Sequence, residues 1–242
     1  MSAPLFLVDA LPEGNECTLS GPEGHHAATV ARLRVGESVL VGDGLGTLAE
    51  GVVTEVGRGV VQLRLGRRWH EQEPSPRLVV VQALAKGDRG ELAVQAMTEV
   101  GVDEIVPWAA TRSVVRWREG RGERSHQRWV ATAREAAKQA RRARLPVVAA
   151  LATTDAVAQR IRTASAALVL HEEAGEPLSR VAPPPTGDVV LVVGPEGGIT
   201  PEELATFTAA GATPVRLGPT VLRTSTAGVA ALAALSVRLG RW

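Results

Sequence analysis

Residues 188–204 read DVVLVVGPEGGITPEEL. A mostly apolar run (188–193) leads into a Gly-Pro-Glu-Gly-Gly turn, and a helix pattern follows the turn at once. A short apolar run without polar alternation is typical of a strand that is buried on both faces. The stretch therefore predicts a strand, a tight turn and a helix, which is the repeating unit of a parallel sheet covered by helices.

The rest of the chain beyond residue 77 shows the same alternation. Predicted strands are RLVVVQALA (77–85), DEIVPW (103–108), AALVLHE (166–172), DVVLVV (188–193) and PVRLG (214–218). Predicted helices lie between Asp88 and Gly101, between Arg124 and Ala143, after the 188–198 turn, and from about Thr226. Alternating strands and helices place this region in the α/β class, with a mostly parallel sheet covered on both faces.

The first 70 residues have a different pattern. Short β-type runs, ESVLVGDG, GTLAEGVVTEVG and VVQLRLG, are separated by glycine turns, and GDGLG reads as a hairpin. This spacing favours a small β-barrel, and the proline-bearing stretch HEQEPSPR (70–77) reads as a linker. We expect two domains, residues 1–73 and 74–242.

Composition limits the classes of protein. A chain of 242 residues with a formal net charge of +1 can bury a sizeable core. The single Cys17 excludes an internal disulfide and a cysteine-based zinc cluster, and the scattered histidines lack ligand spacing, so no metal site is predicted. The N-terminus lacks a signal-peptide pattern and no run is long enough to span a membrane. We expect a soluble cytoplasmic protein.

Charge is unevenly distributed. The stretch from Thr111 to Arg144 contains ten arginines and one lysine but only three acidic residues, Glu119, Glu123 and Glu135. Such a basic segment is a candidate for contact with nucleic acid. Arginine greatly outnumbers lysine throughout the chain, however, and codon bias in a GC-rich genome is the alternative explanation.

The 194–198 turn has features of a binding loop. Gly194, Gly197 and Gly198 remove side chains where a ligand or another backbone approaches closely. Thr200, Pro201 and Glu203 fit an N-cap, a first helical residue and a capping box. A tight strand-to-helix turn without a ligand is the alternative.

A second turn of this kind follows in VRLGPTVLRTSTAGVAALAAL, where a Gly-Pro bend, an apolar pair and an arginine precede a Ser/Thr-capped helix. Two such loops at neighbouring strand ends can build one pocket at the carboxyl edge of the sheet. The sequence lacks GxxxxGK[ST] and GxGxxG, which makes triphosphate and nicotinamide sites unlikely matches. Backbone groups with aliphatic side chains suit a flat heterocycle such as adenine, and S-adenosylmethionine is compatible with that lining.

Four separated motifs carry a resemblance to a known family. VVGPEGGITPEE, LGPTVLRTSTA, LAKGDRGELAVQAMTEVGVDEIVPW with RS at 112–113, and EAAKQARR together resemble the RsmE family of ribosomal RNA (uracil-N3) methyltransferases, and the similarity spans nearly the whole chain. The resemblance implies a SPOUT-type domain whose trefoil knot holds S-adenosylmethionine, preceded by a PUA-like RNA-binding barrel. It also implies a homodimer that methylates N3 of a uridine in small-subunit ribosomal RNA.

Two positions depart from the family pattern. Where the family usually has Arg-Thr-Glu-Thr-Ala, this chain has Ser225 in place of the glutamate, which puts an acidic role there in doubt. The usual Gln-Ser-Gly-Arg is Gln-Ala-Arg-Arg at 139–142, which adds charge beside an expected RNA face.

The resemblance transfers the following roles. Arg223 and Glu196 are the expected catalytic residues. The expected cofactor-binding residues are Val193, Gly194, Gly197, Gly198, Leu217, Gly218, Val221, Leu222, Arg223 and Thr226. The expected RNA-binding residues are His26, Arg34, Lys86 and Arg89, and the basic segment rather than the resemblance adds Arg112, Arg116, Arg141 and Arg142.

Several of these residues have plainer alternatives. Glu196 either faces the sulfonium or holds a loop amide, and the second role is favoured. Arg223 can be a surface arginine at a helix start unless an anion lies opposite. His26 can be structural, and Trp129 is expected in the core. At the level of function, the alternatives are a related knotted enzyme that methylates a ribose hydroxyl or guanine, and a non-catalytic RNA-binding protein.

Overall fold

The computed structural model describes residues 3–117 and 120–242 and divides into two compact units. The first comprises residues up to 73 together with Ala137–Leu145, and the second comprises Pro74–Ala136 and Pro146–Trp242. The division into domains 1–73 and 74–242 stays a prediction; in the structure, residues 137–145 group with the first unit.

The first unit is a five-stranded, barrel-like sheet. Its strands are β1 (Leu5–Leu7), β2 (Glu16–Leu19), β3 (Ser38–Gly42), β4 (Thr47–Val56) and β5 (Val61–His70), in the order β1-β3-β4-β5-β2. A short helix α1 (Gly21–His25) and a π-helical turn (His26–Val30) follow β2. The predicted hairpin at GDGLG is confirmed: β3 and β4 are antiparallel, and Asp43 accepts hydrogen bonds from the amides of Leu45 and Thr47 between them.

Residues 137–145 join the first unit through backbone and side-chain contacts. Gly46 N donates to Ala143 O (3.0 Å), and the buried Lys138 Nζ lies 2.8 Å from Glu23 Oε1. These contacts connect residues about a hundred positions apart, so the sequence pattern of a continuous helix carried no sign of them.

The second unit is a parallel sheet, as predicted, but it has seven strands, because the two-residue strands β8 and β10 were not expected. Its strands are β6 (Arg77–Ala83), β7 (Glu104–Trp108), β8 (Val147–Val148), β9 (Ala166–Leu170), β10 (Glu176–Pro177), β11 (Asp188–Val193) and β12 (Thr213–Arg216), in the order β10-β12-β9-β11-β6-β7-β8. Its helices are α2 (Arg89–Glu99), α3 (Arg121–Gln139, whose last residues belong to the first unit), α4 (Thr154–Thr163), α5 (Pro201–Ala209) and α6 (Thr224–Arg238).

Both faces of this sheet are covered by helices. Alternate residues of β6 point to opposite faces. Leu78 and Val80 pack with Met97 of α2 and Leu232 of α6, while Val79 and its neighbours pack with side chains of α4 and α5. Trp129 is buried in the core that also holds Leu78, Met97 and Leu232, which confirms the prediction that it is a core residue.

Three helix predictions differ from the structure. The helix expected from 124 to 143 runs from Arg121 to Gln139, and Arg141 just beyond it has a left-handed backbone (φ 54°). The sequence did not indicate the end of this helix, because the left-handed residue that follows a helix is usually glycine and here it is arginine. The α6 helix begins at Thr224, two residues before the predicted start. Helix α4 was not predicted, although it has an ordinary N-cap: Ala156 N donates to Thr153 Oγ1 (3.3 Å).

The connection between β9 and β11 goes around β12. Within it, β10 pairs with β12 on the side away from β9, and the following turn (Leu178–Arg180) packs on α6, where Arg238 donates to Ser179 O (2.9 Å). Strand β12 therefore lies between β9 and β10, and the same connection contacts α6, the helix that follows β12. These crossings fit the trefoil knot that the resemblance implies. No helix in the described part of the chain is both long and apolar enough to span a membrane.

Candidate functional site

A cavity of about 710 Å³ opens at the carboxyl edge of the parallel sheet. Its walls come from the residues that follow β9, from residues 193–199 after β11, from the start of α6, and from Arg89 and Arg112. Because carboxyl ends of parallel strands meet at one edge, chain segments far apart in sequence converge here. A ligand in this cavity would touch residues 194–199, the first loop, and the last three residues of the segment 217–223, the second loop.

The glycines of the first loop serve different purposes. A Cβ on Gly194 would lie 2.8 Å from Ile199 Cγ1, and one on Gly197 would lie 3.1 Å from Arg112 Cβ, so both allow close packing of protein atoms. Gly198 has φ +75°, and the nearest atom to an added Cβ is Arg112 Nη1 at 3.8 Å. Gly198 is therefore required for its backbone conformation rather than for lack of space between protein atoms.

The helix after the first loop starts as predicted. Thr200 Oγ1 accepts from Glu203 N (3.2 Å), Glu203 Oε2 accepts from Thr200 N (3.0 Å), and Pro201 occupies the first turn, which confirms the capping box. The other oxygen of the buried Glu203 accepts from Thr111 N at 2.8 Å. The capping box thus also fixes the segment that carries Arg112.

Glu196 connects the first loop to the segment before α2. Its Oε1 accepts from Lys86 N (3.1 Å) and from Arg89 Nη1 (3.0 Å). Burial raises the pKa of Glu196, but hydrogen bonds from its own amide, from Lys86 and from Arg89, with the charge of Arg89, outweigh that effect and hold the pKa below its ordinary value. The carboxylate is therefore charged and engaged in the contacts expected of a loop-holding residue.

The second loop exposes its apolar side chains. Val221 and Leu222 line the large cavity and a neighbouring one of about 80 Å³, and Val221 is 78% exposed. Leu217 and Gly218 line only the smaller cavity, and a Cβ on Gly218 would meet no atom within 4 Å. Val193, by contrast, is buried at the end of β11 and borders the large cavity.

The start of α6 differs from the prediction of a Ser/Thr cap. The N-cap residue is Arg223, whose side chain makes no capping hydrogen bond. Thr224 turns its hydroxyl inward instead, where it donates to Gly194 O (2.8 Å) and accepts from Gln82 Nε2 (3.0 Å). Thr226 donates to Arg223 O (3.2 Å) and lines neither cavity, and Ser225 is buried.

Arg223 lines the large cavity with an exposed side chain. Within residues 3–117 and 120–242, its guanidinium has no hydrogen-bond or ion-pair partner. Arg89 and Arg112 lie in the same wall, and both are already engaged, Arg89 with Glu196 and Arg112 with Gly197 O (3.1 Å). Arg223 is therefore the arginine of this cavity that is left to meet an anion.

The expected RNA-binding residues are divided between the two units. Arg112 lies at the cavity, and Arg116 donates to Thr111 O (3.0 Å). The others of the second unit, Lys86 and Arg89, flank the Glu196 contacts. The first unit holds the exposed Arg34 and Arg141 with the partly buried Arg142 and His26, whose Nδ1 lies 3.5 Å from Lys138 Nζ. Arg118 and Glu119 of the basic segment lie outside the described residues.

The remaining members of the α2 motif make local contacts. Glu91 pairs with Arg128 (3.4 Å), and Gln95 donates to Glu99 (3.0 Å).

Sequence reasoning missed part of the cavity wall. His171, Glu172 and Glu173 line the large cavity directly after β9. The segment was read as the end of a strand, although its position at the carboxyl end of a parallel strand was the available signal. The wall therefore combines three arginines with three glutamates, including Glu196.

Comparisons with known proteins agree with this geometry. A model described as an RNA methyltransferase domain matches residues 71–236, and one described as an RNA methyltransferase PUA domain matches residues 19–66. A ribosomal RNA small subunit methyltransferase E from Mycobacterium tuberculosis is 49% identical over 100% of this chain and 94% of its own length.

The chain belongs to the ribosomal RNA small subunit methyltransferase E family.

Other members extend the comparison. The methyltransferase E of Bacillus subtilis is 30% identical over 93% of this chain and 91% of its own length. A crystal structure of methyltransferase E from Neisseria gonorrhoeae bound to S-adenosyl methionine has a TM-score of 0.85 at 26% identity, covering 98% of each chain. A Legionella pneumophila methyltransferase in complex with the same cofactor has a TM-score of 0.87 at 26% identity, again over 98% of each chain. The two units are thus the PUA-like barrel and the SPOUT-type domain of this family.

Proposed function

We propose that the protein transfers a methyl group from S-adenosylmethionine to N3 of a uridine in small-subunit (16S) ribosomal RNA. One observation carries this proposal: in this member of the family, two loops wall a cavity at the carboxyl edge of the sheet, and the wall contains Arg223, an arginine without a partner among the described residues. The ribosomal RNA named for the Mycobacterium tuberculosis relative and the S-adenosyl methionine bound to the Neisseria gonorrhoeae structure support the substrate and the cofactor.

The residues of the cavity suit this cofactor. A volume of about 710 Å³ lies within the usual range of small-molecule sites, roughly 300–1,000 Å³. The first loop offers backbone groups at glycines, and Val221 and Leu222 offer exposed apolar surface against which an adenine can pack. Gly194, Gly197 and Gly198 of the first loop and Leu217, Gly218, Val221 and Leu222 of the second are the residues that we propose hold it. The bound cofactor supplies a methyl group activated by the positive charge of the sulfonium.

Arg223 is the residue that we propose acts on the substrate. N3 of uridine bears a proton that must leave before the nitrogen can attack, and negative charge then develops on the uracil ring. A guanidinium next to the N-terminus of α6 stabilises that charge, and both the cation and the helix end favour an anion. Because N3 lies on the pairing edge, the uridine must be unpaired or flipped out to reach the cavity.

Glu196 has a supporting role in this proposal. Its carboxylate accepts hydrogen bonds from Lys86 N and Arg89, so it holds the first loop against the segment before α2. Because this carboxylate lies in the cavity wall and is negatively charged, it can also offset the positive charge of the cofactor's sulfonium.

RNA is proposed to bind through residues of both units. Arg34, Arg116, Arg141 and Arg142 carry positive charge at exposed or half-exposed positions, and each can contact a phosphate. Lys86, Arg89 and Arg112 lie beside the cavity and would meet RNA near the target base. The ring of His26 lies beside Lys138 and edge-on to Phe6.

We propose further that the protein is a cytoplasmic homodimer. Two exposed apolar side chains, Leu92 on α2 and Val237 on α6, support association through these two helices, which pack together. Sedimentation analysis of the purified protein is expected to give the mass of two chains, and a monomer at micromolar concentration would contradict the proposal.

Nucleoside mass spectrometry tests the reaction. Small-subunit RNA from a strain that lacks the gene is expected to lose 3-methyluridine and to regain it on incubation with purified protein and S-adenosylmethionine. Restoration of a ribose 2′-O-methyl group or a methylguanine would favour a related enzyme with another target. Calorimetry separates the third possibility, because a non-catalytic RNA-binding protein would bind RNA and no S-adenosylmethionine.

A further inference from the structure

The structure assigns to Gln82 and Thr224 a role that neither the motifs nor the family comparison gives them. We propose that they are positioning residues: their hydrogen-bonded chain fixes the first loop and the backbone of Arg223 relative to each other. This inference rests on the proposed function for its catalytic consequence, and it rests on the structure alone for the link between the loops.

The chain of hydrogen bonds runs through the interior. Gln82, at the end of β6, is fully buried and lies directly opposite Val193 of β11. Its Nε2 donates to Thr224 Oγ1 (3.0 Å), and Thr224 Oγ1 donates to Gly194 O (2.8 Å). Gly194 begins the first loop and Thr224 follows Arg223, so two side chains join both walls of the cavity.

The number of protons on the Thr224 hydroxyl determines which group donates in each of these hydrogen bonds. Thr224 has a single hydroxyl proton, which goes to Gly194 O, so Gln82 must present its NH₂ group to the hydroxyl. In that orientation Gln82 Oε1 is buried and finds no hydrogen-bond partner within the described residues. A buried acceptor without a partner is costly, and the amide keeps this orientation because it donates to Thr224 and to Ala83 O (3.2 Å).

Close packing one helical turn later brings Thr224 to the first loop. A Cβ on Gly228 would lie 2.9 Å from Met97 Sδ and 3.4 Å from Val193 Cγ2, so the absence of a side chain lets α6 approach α2 and β11 closely. Thr224 is consequently held at hydrogen-bond distance from Gly194 O.

A second link between the same region and its surroundings is exposed. Glu196 reaches Lys86 N and Arg89 at the surface, where water competes for each partner. The Gln82–Thr224 link is much less accessible to water, since Gln82 is fully buried and Thr224 is nearly so, although Thr224 also borders the large cavity. The buried link is therefore the one expected to set the distance between the first loop and Arg223.

Two variants of Thr224 test the proposal. Thr224→Val removes the hydroxyl at nearly constant volume, and Thr224→Ser keeps it. Thr98→Val is a matched control, because Thr98 is also a buried threonine whose hydroxyl donates to a backbone carbonyl, Val94 O at 2.7 Å, and it lines neither cavity.

Amide hydrogen exchange of the ligand-free protein is the first measurement. In Thr224→Val the amides of residues 194–199 and 217–223 are expected to exchange faster than in the wild type, while Thr224→Ser and Thr98→Val leave both loops unchanged. Unchanged exchange in Thr224→Val, or equal acceleration in Thr98→Val, would overturn the positioning role. If Thr224→Val does not fold, Gln82→Met breaks the same link from its other end and takes its place.

Turnover at saturating cofactor and RNA is the second measurement. A misplaced catalytic group typically lowers turnover on the order of tenfold to a hundredfold, which is the loss expected for Thr224→Val, with recovery in Thr224→Ser and little change in Thr98→Val. Combining Gln82→Met with Thr224→Val is expected to cost no more than either alone, because both break one link; additive losses would contradict a single chain. If the wild type leaves uridine unmethylated, the proposed function fails, and the exchange data still decide the link.

Discussion

The first loop (194–199) and the second loop (217–223) wall the same cavity but are held very differently. The first is fixed on several sides: Gly194 packs on Ile199, Gly197 O accepts from Arg112, Glu196 reaches Lys86 and Arg89, and Thr200 forms a capping box with Glu203. The second loop is exposed at its end, with Val221 at 78% and Leu222 at 38%.

This difference indicates a division of labour. The first loop has its shape before any ligand arrives, so it loses little conformational freedom on binding. The second loop exposes apolar surface that a ligand can bury, and its last residue, Arg223, has no partner within the described residues. Affinity is therefore expected to depend on the shape of the first loop and on the side chains of the second, while turnover depends on Arg223.

The largest expected effect is on Arg223. Replacing it with alanine removes a cation that stabilises charge on uracil in the transition state, and losses of this kind are typically on the order of a hundredfold or more in turnover. Affinity for cofactor and RNA should change much less. The measurement is the single-turnover rate at saturating cofactor and RNA, taken as a function of pH.

The pH dependence tests the role of Arg223. At high pH uridine ionises without help, so the deficit of Arg223→Ala is expected to shrink there. Full recovery of the rate by saturation alone, at any pH, would assign Arg223 to ligand binding instead.

Gly198→Val tests whether the first loop is pre-shaped. A valine at φ +75° is strained, typically by about 1–3 kcal/mol, and its side chain would also enter the cavity, so affinity for S-adenosylmethionine is expected to fall by roughly tenfold to a hundredfold. Gly211→Val is the matched control, since Gly211 has φ +108°, equally open surroundings and no place in the cavity. If calorimetry finds that the two variants bind S-adenosylmethionine equally well, the shape of the first loop is not what determines affinity.

Val221→Ala tests the second loop. The side chain is mostly exposed, so thermal stability should stay within about 0.5 kcal/mol of the wild type. If the cofactor buries this side chain, the loss of two methyl groups at about 0.8 kcal/mol each lowers affinity by about tenfold. Val193→Ala at the buried end of β11 should behave in the opposite way: it should clearly lower thermal stability and lower cofactor affinity less than Val221→Ala does. Equal stability losses for both variants would end the contrast between the loops.

The smallest effect is expected for Glu196→Gln. The pKa of Glu196 is lowered in the folded state, so its stabilising contribution is present above the ordinary value of 4.5 and disappears as the pH falls through the lowered pKa. Since both Glu196 and Arg89 are partly exposed, the contribution should be below about 1 kcal/mol. Thermal melts of wild type and variant should differ at neutral pH and converge in acid; a difference that grows in acid would contradict the role.

The sequence alone was enough for the second unit's core. Strands such as 188–193 are apolar on both faces, and the change from β-type runs to alternating strands and helices marked the boundary between the barrel and the parallel sheet. The capping box of Thr200 and Glu203 was also predictable, because it depends on residues only three positions apart. Local periodicity and local hydrogen bonding are properties that a sequence displays directly.

Tertiary structure alone decided how the site is assembled. Residues 137–145 belong to the first unit, Arg112 donates to the first loop, His171 to Glu173 complete the cavity, and Thr224 bonds Gly194 and Gln82 instead of capping its helix. Each of these contacts joins segments that are tens of residues or more apart. Whether a threonine hydroxyl caps its own helix or reaches inward depends on which acceptor the packed chain brings near it, and for Thr224 the close approach of α6 to β11 at Gly228 supplied Gly194 O.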